Sequence, residues 1–293
     1  MFIIKNKFIF LACSGVLVMA SIAVMAVFGF RQGIDFAGGT LWEISGTNLD
    51  KAGLQEIIPD AIVAESASGL SMRLRDLSED EHQTLLKKIQ DKFVEVKEER
   101  FESIGPAIGR EIRANAVWAF VMVLVGISLY IAFAFRKVSY PVSSWKYGLI
   151  TLVTLFHDAL IPAGMFAVMG EYGVAEINTN FIIAILVVMG FSVHDTIVVF
   201  DRIRENIRLN LIKNESFDGL VGRSISETMA RSINTSLTLV LVLIALFFLA
   251  SATLNYFVLV ILVGTIFGTY SSICIASPLL TLWRRNDKIT DGK

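Results

Sequence analysis

The chain has 293 residues, of which 54% are hydrophobic and 18% are charged, and its mean hydropathy is +0.64. A soluble domain carries about 25% charged residues, so the composition excludes a soluble globular protein and indicates an integral membrane protein. The net charge of −1 suggests no nucleic-acid partner. Both cysteines, Cys13 and Cys274, fall in predicted spans, which leaves no disulfide framework to interpret.

The N-terminal segment "MFIIKNKFIF" has a basic head and an apolar body, as a signal peptide does. The apolar run continues from Phe8 to about Phe28, however, and this is longer than the apolar region of a typical signal peptide. The sequence therefore favours an uncleaved first span over a cleaved signal peptide.

Six apolar runs are long enough to cross a bilayer as helices, because a lipid-embedded backbone must satisfy its own N–H and C=O groups. The predicted spans are 8–29, 116–135, 147–169, 180–200, 234–251 and 255–280. The predicted organisation is an N-terminal segment 1–30 with the first span, an extracytoplasmic α+β domain 31–115, a helical region 116–283 and a cytoplasmic tail 284–293.

Lysine and arginine residues collect on one side of these spans, which the positive-inside rule assigns to the cytoplasm. They are Lys5, Lys7, Arg136, Lys137, Lys146, Arg202, Arg204, Arg208, Lys213, Arg223, Arg231, Arg284 and Arg285. The short loops at about 170–179 and 251–254 carry none. We therefore expect both termini to be cytoplasmic.

The stretch between the first two spans alternates between strand and helix patterns. The segments "TLWEIS", "AIVAES", "LSMRLR" and "VEVKEERF" alternate like strands, while "LDKAGLQEIIPD" and "SEDEHQTLLKKIQDKF" have helical spacing. Ser78 and Glu81 have the spacing of a capping box, and "ASG" is a hairpin signal. The order βαββαβ predicts a ferredoxin-like α+β fold for this inserted domain.

The segment 201–232, which joins the fourth and fifth spans, begins with an amphipathic pattern. Ile203, Ile207 and Leu211 recur every four residues with charges between them. This spacing predicts an amphipathic helix at the cytoplasmic surface, in contact with membrane lipid.

Two histidine–aspartate pairs lie inside apolar runs, His157 with Asp158 in the third span and His194 with Asp195 in the fourth. A carboxylate within a bilayer costs at least a few kcal/mol, so such a residue faces the protein interior or a wet cavity. A buried carboxyl group with a cation nearby can take up and release a proton near neutral pH. We therefore predict a proton relay of Asp195, Asp158 and His157, with Arg231 as the nearest counter-ion.

Each of these residues also has a structural interpretation, since an intramembrane aspartate that bonds to serine, threonine or arginine can simply hold a helix bundle together. His194 points about 100° away from Asp195 on a helix, which favours a packing role. Thr151, Thr154 and Asp158 form a polar stripe that we expect to face Asp195. The small residues Gly264, Gly268 and Ser272 predict close helix packing in the sixth span.

Other chemistry is sparse in the sequence. There is no P-loop, no zinc-ligand spacing and no Gly-x-Ser-x-Gly elbow. The glycine-rich stretch "GIDFAGGT" does not match a phosphate-binding fingerprint. We therefore expect no enzymatic activity, no cofactor and no bound metal. Because no ATP site is visible, an ion gradient is the simplest source of any energy that the protein uses.

Three motifs together resemble the SecD/SecF family of protein-export membrane proteins, part of the RND superfamily. "GIDFAGGT" (33–40) is similar to the motif that follows the family's first span, and "SIGPAIGREI" (103–112) to the segment before its second span. "GFSVHDTIVVFDRIREN" (190–206) resembles the fourth-span signature of the family's SecF branch. His194 departs from the pattern, because asparagine is common there in the family.

The resemblance implies an accessory subunit of the Sec translocase that works with SecD in the bacterial cytoplasmic (inner) membrane. Such a subunit uses the proton-motive force, or sodium in some lineages, to promote preprotein export. Its implied partners are SecD, the SecYEG channel with SecA, exported unfolded polypeptide and membrane lipid. The family's fourth-span acid matches Asp195 and its fifth-span arginine matches Arg231. The residues matched as structural motif residues are Gly33, Asp35, Gly38, Gly39, Asp201 and Arg202.

Two other functions stay open at this point. An RND-type proton-coupled exporter of lipid or small molecules would need a broad apolar pocket. A scaffold or sensor that transports nothing would tolerate the neutralisation of every intramembrane acid.

Overall fold

The computed structural model describes residues 2–66, 69–136, 141–210, 215–249 and 252–284. Several residues used in the sequence analysis lie outside these ranges, namely Ala67, Ser68, Lys137, Leu211, Lys213 and Arg285, together with the rest of the predicted tail. The described chain divides into two compact units. One contains Arg31–Trp118 and Glu176–Thr179, and the other contains the remaining helices.

The first half begins with two helices of the helical unit and continues with the helices and strands of the α+β unit. They are α1 (Phe2–Lys5), α2 (Lys7–Phe28), α3 (Ile34–Ala37), β1 (Gly39–Thr47), α4 (Lys51–Ile57), β2 (Ile62–Ser66), β3 (Gly69–Leu74), α5 (Glu79–Lys92) and β4 (Val94–Ile104). The second half is helical. It contains α6 (Pro106–Ala134), α7 (Ser144–Glu171), α8 (Thr179–Asn210), α9 (Phe217–Leu249), α10 (Ala252–Ser271), a π-helical turn (Ser272–Ala276) and α11 (Ser277–Leu282).

The α+β unit is built on a four-stranded sheet of order β2-β3-β1-β4, in which each neighbouring pair is antiparallel. This is the ferredoxin-like arrangement that the βαββαβ pattern predicts. Period-2 alternation on β1 buries Trp42 and Ile44 completely, and Leu54 of α4 and Ile89 of α5 are equally buried in the same core. The predicted fold class of the inserted domain is therefore confirmed.

Helix α5 begins with the capping box expected from its sequence. The Ser78 hydroxyl accepts from the Glu81 backbone N–H, and the Glu81 carboxylate accepts from the Ser78 backbone N–H. Arg75 also donates to Glu81, so one carboxylate ties the end of β3 to the start of the helix. These contacts fix where the helix begins.

Six helical segments are long and apolar enough to cross a membrane, in agreement with the predicted number of spans. Helices α7 and α8 and the α10–α11 run bury half or more of their apolar windows, whereas α2, α6 and α9 bury less than a fifth. Small residues permit close packing at the centre of this unit. A Cβ on Gly148 would lie 2.4 Å from the Ser128 carbonyl oxygen, and one on Gly264 would lie 2.3 Å from Val188.

The structure differs from the sequence analysis between the fourth and fifth spans. Helix α8 runs without a break to Asn210, and α9 begins at Phe217, so the described part of 201–232 extends the two spans instead of forming a separate surface helix. Ile203 and Asn206 of α8 are fully buried, and Asn206 donates to Ser224 of α9 at 2.9 Å. The apolar spacing read as a membrane-facing stripe is thus partly an interhelical contact.

The sixth span is also interrupted where a uniform helix was expected. Ser272–Ala276 form a π-helical turn directly before α11, whose second residue is Pro278. Proline lacks the N–H that an α-helix needs at its i−4 carbonyl. The wider turn therefore lets the span pass a proline without ending.

Gly38 is a point where the backbone leaves no room for a side chain. Its φ is +78°, and a Cβ would lie 2.9 Å from Pro106 Cα. We predict that Gly38→Ala lowers the free energy of unfolding by about 1–3 kcal/mol, because both the conformation and the contact are unfavourable. Thermal unfolding of the purified protein measures this loss. Gly105→Ala is the matched control, since the nearest atom to its Cβ is 4.0 Å away; equal effects of the two variants would refute the explanation.

Glu81 makes the stability of the α+β unit depend on pH. Its hydrogen bond to Arg75, with those from Ser78, lowers the pKa of Glu81 from an ordinary 4.5 to about 2. The stabilisation is therefore fully present above pH 4.5 and is lost as the pH falls toward 2. We expect Glu81→Gln to lower the unfolding temperature at pH 7, with the difference from wild type narrowing as the pH is reduced from 5 to 3. Asp91→Asn, at an exposed position of the same helix, should leave this pH dependence unchanged.

Candidate functional site

Two buried aspartates lie at the centre of the helical unit, where α7, α8 and α10 pack together. Asp158 of α7 is fully buried and Asp195 of α8 is 5% exposed. Asp195 lies 16 residues after the first residue of α8 and 15 before the last, which places it at the middle of that helix. Both acids face protein, as the cost of placing a carboxylate in lipid requires.

Asp158 is surrounded by hydrogen-bond donors from three helices. Its Oδ1 lies 2.8 Å from His157 Nδ1. Its Oδ2 accepts from the Ser271 hydroxyl at 2.7 Å and from the Ser192 hydroxyl. Asp158 therefore links α7 to both α8 and α10, and His157, although adjacent in sequence, turns back to contact it.

Asp195 is much less completely bonded. The hydroxyl groups of Ser232 on α9 and Ser272 lie near its carboxyl group. Within the described chain, however, neither Asp195 Oδ2 nor the Ser232 hydroxyl completes a hydrogen bond. A buried carboxyl oxygen without a partner is costly, so this position favours either a bound proton or a partner supplied from outside this chain.

Hydroxyl groups connect the surroundings of the two acids. The Ser272 and Thr196 hydroxyl oxygens are 2.8 Å apart, and the Ser272 hydroxyl also lies 3.3 Å from the Ser192 carbonyl oxygen. Ser271, the neighbour of Ser272, bonds to Asp158. The π-helical turn starts at Ser272, and such turns are frequent at functional sites. Hydroxyl groups of α8, α10 and the π-helical turn therefore lie near both Asp158 and Asp195.

The sequence analysis did not assign Ser192, Thr196 or Ser271 to the site. A signal was present, because Ser192 and Thr196 flank Asp195 at i−3 and i+1 on α8. Gly268 was assigned to close packing, and a Cβ there would lie 3.0 Å from Ser192 Cβ, which brings α8 and α10 together. The serines become recognisable as one group only when the helices are packed.

The predicted polar stripe on α7 behaves differently from expectation. Thr151 and Thr154 are buried on the same side as Asp158, but their hydroxyls donate to the backbone carbonyls of Tyr147 and Thr151, both at 2.9 Å. Bonds of this type within a helix satisfy a hydroxyl locally. The hydroxyl groups that reach Asp158 come from Ser192 of α8 and Ser271 of α10 instead.

Arg231 and His194 point away from the packed centre. Arg231 is exposed and makes no salt bridge within the described residues, so its predicted pairing with Asp195 stays a prediction. It begins an exposed polar face on α9 that continues with Asn234 and Thr238 at i+3 and i+7. His194 is exposed on α8, one turn after the exposed Gly190. We call Arg231, Asn234 and Thr238 the outward polar face.

The motif residues Asp201 and Arg202 lie in the extended part of α8. Asp201 pairs with Arg204. Arg202 donates to Glu227 of α9 and to Glu205, each at 2.6 Å, and Asn206 donates to Glu227 at 2.8 Å. These contacts hold the extensions of α8 and α9 together, which accounts for the dense alternation of charge after the fourth span.

The glycine-rich motif lies in the α+β unit, whereas Asp158 and Asp195 belong to the helical unit. Gly38 and Gly39 have φ values of +78° and +113°, which favour glycine, and a Cβ on Gly39 would lie 2.7 Å from the Leu74 carbonyl oxygen. Gly33 instead packs against the loop before α8, where an added Cβ would lie 3.2 Å from the Ile177 carbonyl oxygen. Asp35 accepts a hydrogen bond from the Thr179 backbone N–H at 2.7 Å. Among the residues that the structure describes, no three His, Cys, Asp or Glu side chains could jointly hold a metal ion.

The sequence matches two family models. "Protein export membrane protein SecD/SecF, C-terminal" matches residues 84–286, and "SecD/SecF GG Motif" matches residues 23–45. The second match covers the whole glycine-rich motif, and the first covers both buried acids and Arg231.

Curated relatives extend the likeness over nearly the whole chain. Protein translocase subunit SecF of Thermobaculum terrenum is 40% identical over 304 residues, covering 97% of this chain and 94% of the relative. Protein translocase subunit SecF of Anaerolinea thermophila is 33% identical over 296 residues, with 97% and 94% covered. Protein translocase subunit SecDF of Thermus thermophilus is 34% identical, and the match covers 94% of this chain but 38% of that longer protein.

A solved structure shows the same architecture. The crystal structure of SecDF, a translocon-associated membrane protein from Thermus thermophilus, superposes with a TM-score of 0.81 at 32% identity, covering 96% of this chain and 38% of that chain. The six spans and the inserted α+β domain therefore have a counterpart within a longer protein. The chain belongs to the SecD/SecF family of protein-export membrane proteins, and it is a SecF-type subunit of the protein translocase, a multi-pass membrane transport protein and not an enzyme.

Proposed function

We propose that this subunit couples the movement of protons through Asp195 to the export of unfolded preproteins. The observation that carries the proposal is the buried carboxyl group at the middle of α8 with one oxygen unpaired in the described chain. A carboxyl group in this setting is neutral when protonated and needs a new partner when ionised. Loading and unloading one proton would therefore change which neighbours Asp195 prefers.

Asp195 is a better candidate than Asp158 for the group that changes its charge. Asp158 already has donors from His157, Ser192 and Ser271, so its carboxylate is well satisfied in the observed packing. Asp195 has hydroxyl groups nearby, but one of its oxygens has no hydrogen-bond partner among the described residues. Asp158 and His157 would then support the packing, and the proton would be exchanged at Asp195.

The partner that completes the site is a SecD-type half. Arg231, Asn234 and Thr238 are polar residues on the exposed side of a membrane-spanning helix, where contact with lipid is costly. SecDF of Thermus thermophilus contains a region matching this chain within a much longer polypeptide. We therefore propose that the outward polar face lies against a SecD-type subunit, which would bring Arg231 into a protein environment where it can respond to the charge of Asp195.

The orientation of the subunit in the membrane is inferred from the distribution of its basic residues. Lys5, Lys7 and the charged extensions of α8 and α9 would lie in the cytoplasm, and the α+β unit on the outer side of the bacterial cytoplasmic membrane. The substrate would be polypeptide delivered through the SecYEG channel by SecA. The α+β unit would hold emerging chain transiently and without sequence preference.

Neutralising Asp195 tests the proposal directly. Asp195→Asn preserves the size of the side chain and removes its ability to ionise, so we expect wild-type abundance and co-purification with a SecD-type subunit. Preprotein export should lose the part that a proton gradient stimulates and fall to the level measured with a protonophore. Asp91→Asn, an exposed position on α5, is the matched control. Gradient-stimulated export by Asp195→Asn would contradict the proposal.

Asp158 should behave as the more structural acid. Interhelical hydrogen bonds in membranes contribute roughly 0.6 kcal/mol each on average, so Asp158→Ala, which removes the interhelical bonds to Ser192 and Ser271, should cost about 1.2 kcal/mol. Ser271→Ala removes one of these bonds and should cost roughly 0.6 kcal/mol. Thermal unfolding in detergent measures both. The assignment of roles would be wrong if Asp158→Ala were no less stable than Ser271→Ala.

A further inference from the structure

We propose that the segment Arg31–Gly39 is a permanent joint, in which Asp35 caps α8 and fixes its first turn to the α+β unit. The resemblance to the family implied only that Gly33, Asp35, Gly38 and Gly39 of the glycine-rich motif are structural residues. The structure gives the motif contacts with the short loop Glu176–Thr179, which belongs to the same compact unit. We assign Asp35 the role of a positioning residue for the helix that carries Asp195.

The joint is made first by the backbone. The Gly33 N–H donates to the Ile177 carbonyl at 2.8 Å, and the Ile177 N–H donates to the Arg31 carbonyl at 2.9 Å. Gln32 and Ile177 thus form a parallel β-bridge. A Cβ on Gly33 would lie 3.2 Å from the Ile177 carbonyl oxygen, so this position admits a close approach that a larger residue would resist.

Asp35 adds a charged cap to this bridge. Its Oδ2 accepts from the backbone N–H of Thr179 at 2.7 Å, and Thr179 is the first residue of α8. The first N–H groups of a helix lack partners within the helix, and a carboxylate there is also favoured by the helix dipole. The cap comes from a residue 144 positions earlier in the chain, so it ties α8 to a distant segment.

Side-chain charges close the same joint. Glu176 pairs with Arg31 at 2.9 Å and also with Arg73 of β3. The Glu176 carboxylate therefore contacts both the segment Arg31–Gly39 and the sheet. Both ion pairs are partly buried. Like the hydrogen bond of Asp35, they hold the loop Glu176–Thr179 against the α+β unit.

The motif also holds the start of α6. A Cβ on Gly109 would lie 3.1 Å from the Gly38 nitrogen and 3.3 Å from the Phe36 carbonyl oxygen. Gly38 itself leaves 2.9 Å between an added Cβ and Pro106 Cα. The segment Gly33–Gly39 thus contacts the first turn of α6 and the loop that starts α8.

The consequence for function rests on the proposed proton coupling. Helix α8 is continuous, and Asp195 follows Thr179 by 16 residues, or about 24 Å at 1.5 Å per residue. A displacement of α8 that accompanies proton exchange would be passed along the helix to Thr179. Asp35 and the β-bridge would then transmit it to the α+β unit without slack.

Hydrogen exchange of the subunit in complex with its SecD-type partner tests the cap without reference to export. We expect Asp35→Ala to speed exchange of the Thr179 amide by roughly fivefold, the usual effect of losing a cap. Asp35→Asn retains an acceptor oxygen and should stay within about twofold of wild type. Unchanged exchange in Asp35→Ala would overturn the proposal.

Export assays on variants of two helix-capping residues distinguish a positioning role of Asp35 from a general effect on folding. Asp50 caps α4 in the same unit by accepting from the Gly53 N–H at 3.3 Å. Asp50→Ala should keep gradient-stimulated export, Asp35→Ala should lose it, and Asp35→Asn should largely restore it. Equal losses in Asp35→Ala and Asp50→Ala would reduce Asp35 to a residue that only stabilises the domain, and would overturn its positioning role.

A disulfide tests whether the joint stays closed during transport. A Cβ on Gly33 would lie 3.3 Å from Asn178 Cβ, close to the separation of about 3.5–4.5 Å in disulfides. In a background with Cys13→Ala and Cys274→Ala, the oxidised pair Gly33→Cys and Asn178→Cys should export as well as its reduced form. Loss of export on oxidation, restored by reduction, would show that the joint must open. If wild type showed no gradient stimulation, the proton-coupling function would fail, and the exchange and disulfide results alone would decide whether the joint exists.

Discussion

The packing of the helical unit depends on the cost of placing carboxylates at membrane depth. Two acids within apolar helices must face protein, and the three helices with the largest buried fractions are those that surround them. Small residues such as Gly264 and Gly268 allow α10 to approach α8 closely enough for serine hydroxyls to reach Asp158. The close packing of α8 against α10 and the hydrogen bonds to Asp158 therefore depend on each other.

Asp158 and Asp195 differ in how completely their carboxyl groups are hydrogen-bonded. Asp158 is bonded from three directions and favours one packing of α7, α8 and α10. Asp195 has one oxygen without a hydrogen-bond partner in the described chain and lies near a π-helical turn, where the backbone departs from regular geometry. In the proposed function, Asp195 is therefore the acid whose partners change, while Asp158 holds the packing.

Much of the fold was predictable from sequence because its signals are local. The alternation of β1, the capping box at Ser78 and the six apolar runs each depend on residues close together in the chain. The positions of Asp195 and Asp158 were equally visible, since a charge within an apolar run stands out. Their hydroxyl neighbours were not, because serine and threonine in a membrane helix are common, and only the packing shows which of them reach an acid.

The contact between Asp35 and Thr179 joins residues far apart in sequence, so no periodicity could reveal it. Residues 201–210 were read as a surface helix, because an amphipathic stripe does not tell whether its apolar side faces lipid or another helix.

The lengths of α8 and α9 have a mechanical meaning of their own. At 1.5 Å per residue, helices of 32 and 33 residues are about 48–50 Å long, whereas the hydrocarbon layer is about 30 Å thick. Some 18 Å or more of each rod must therefore project past the acyl chains. Arg202, Asn206 and Glu227 brace the two projecting rods into a single stalk. A small tilt of α8 around its midpoint would thus be magnified at both ends, so that a shift too slight to disturb the packed centre becomes a large swing at the stalk's tip.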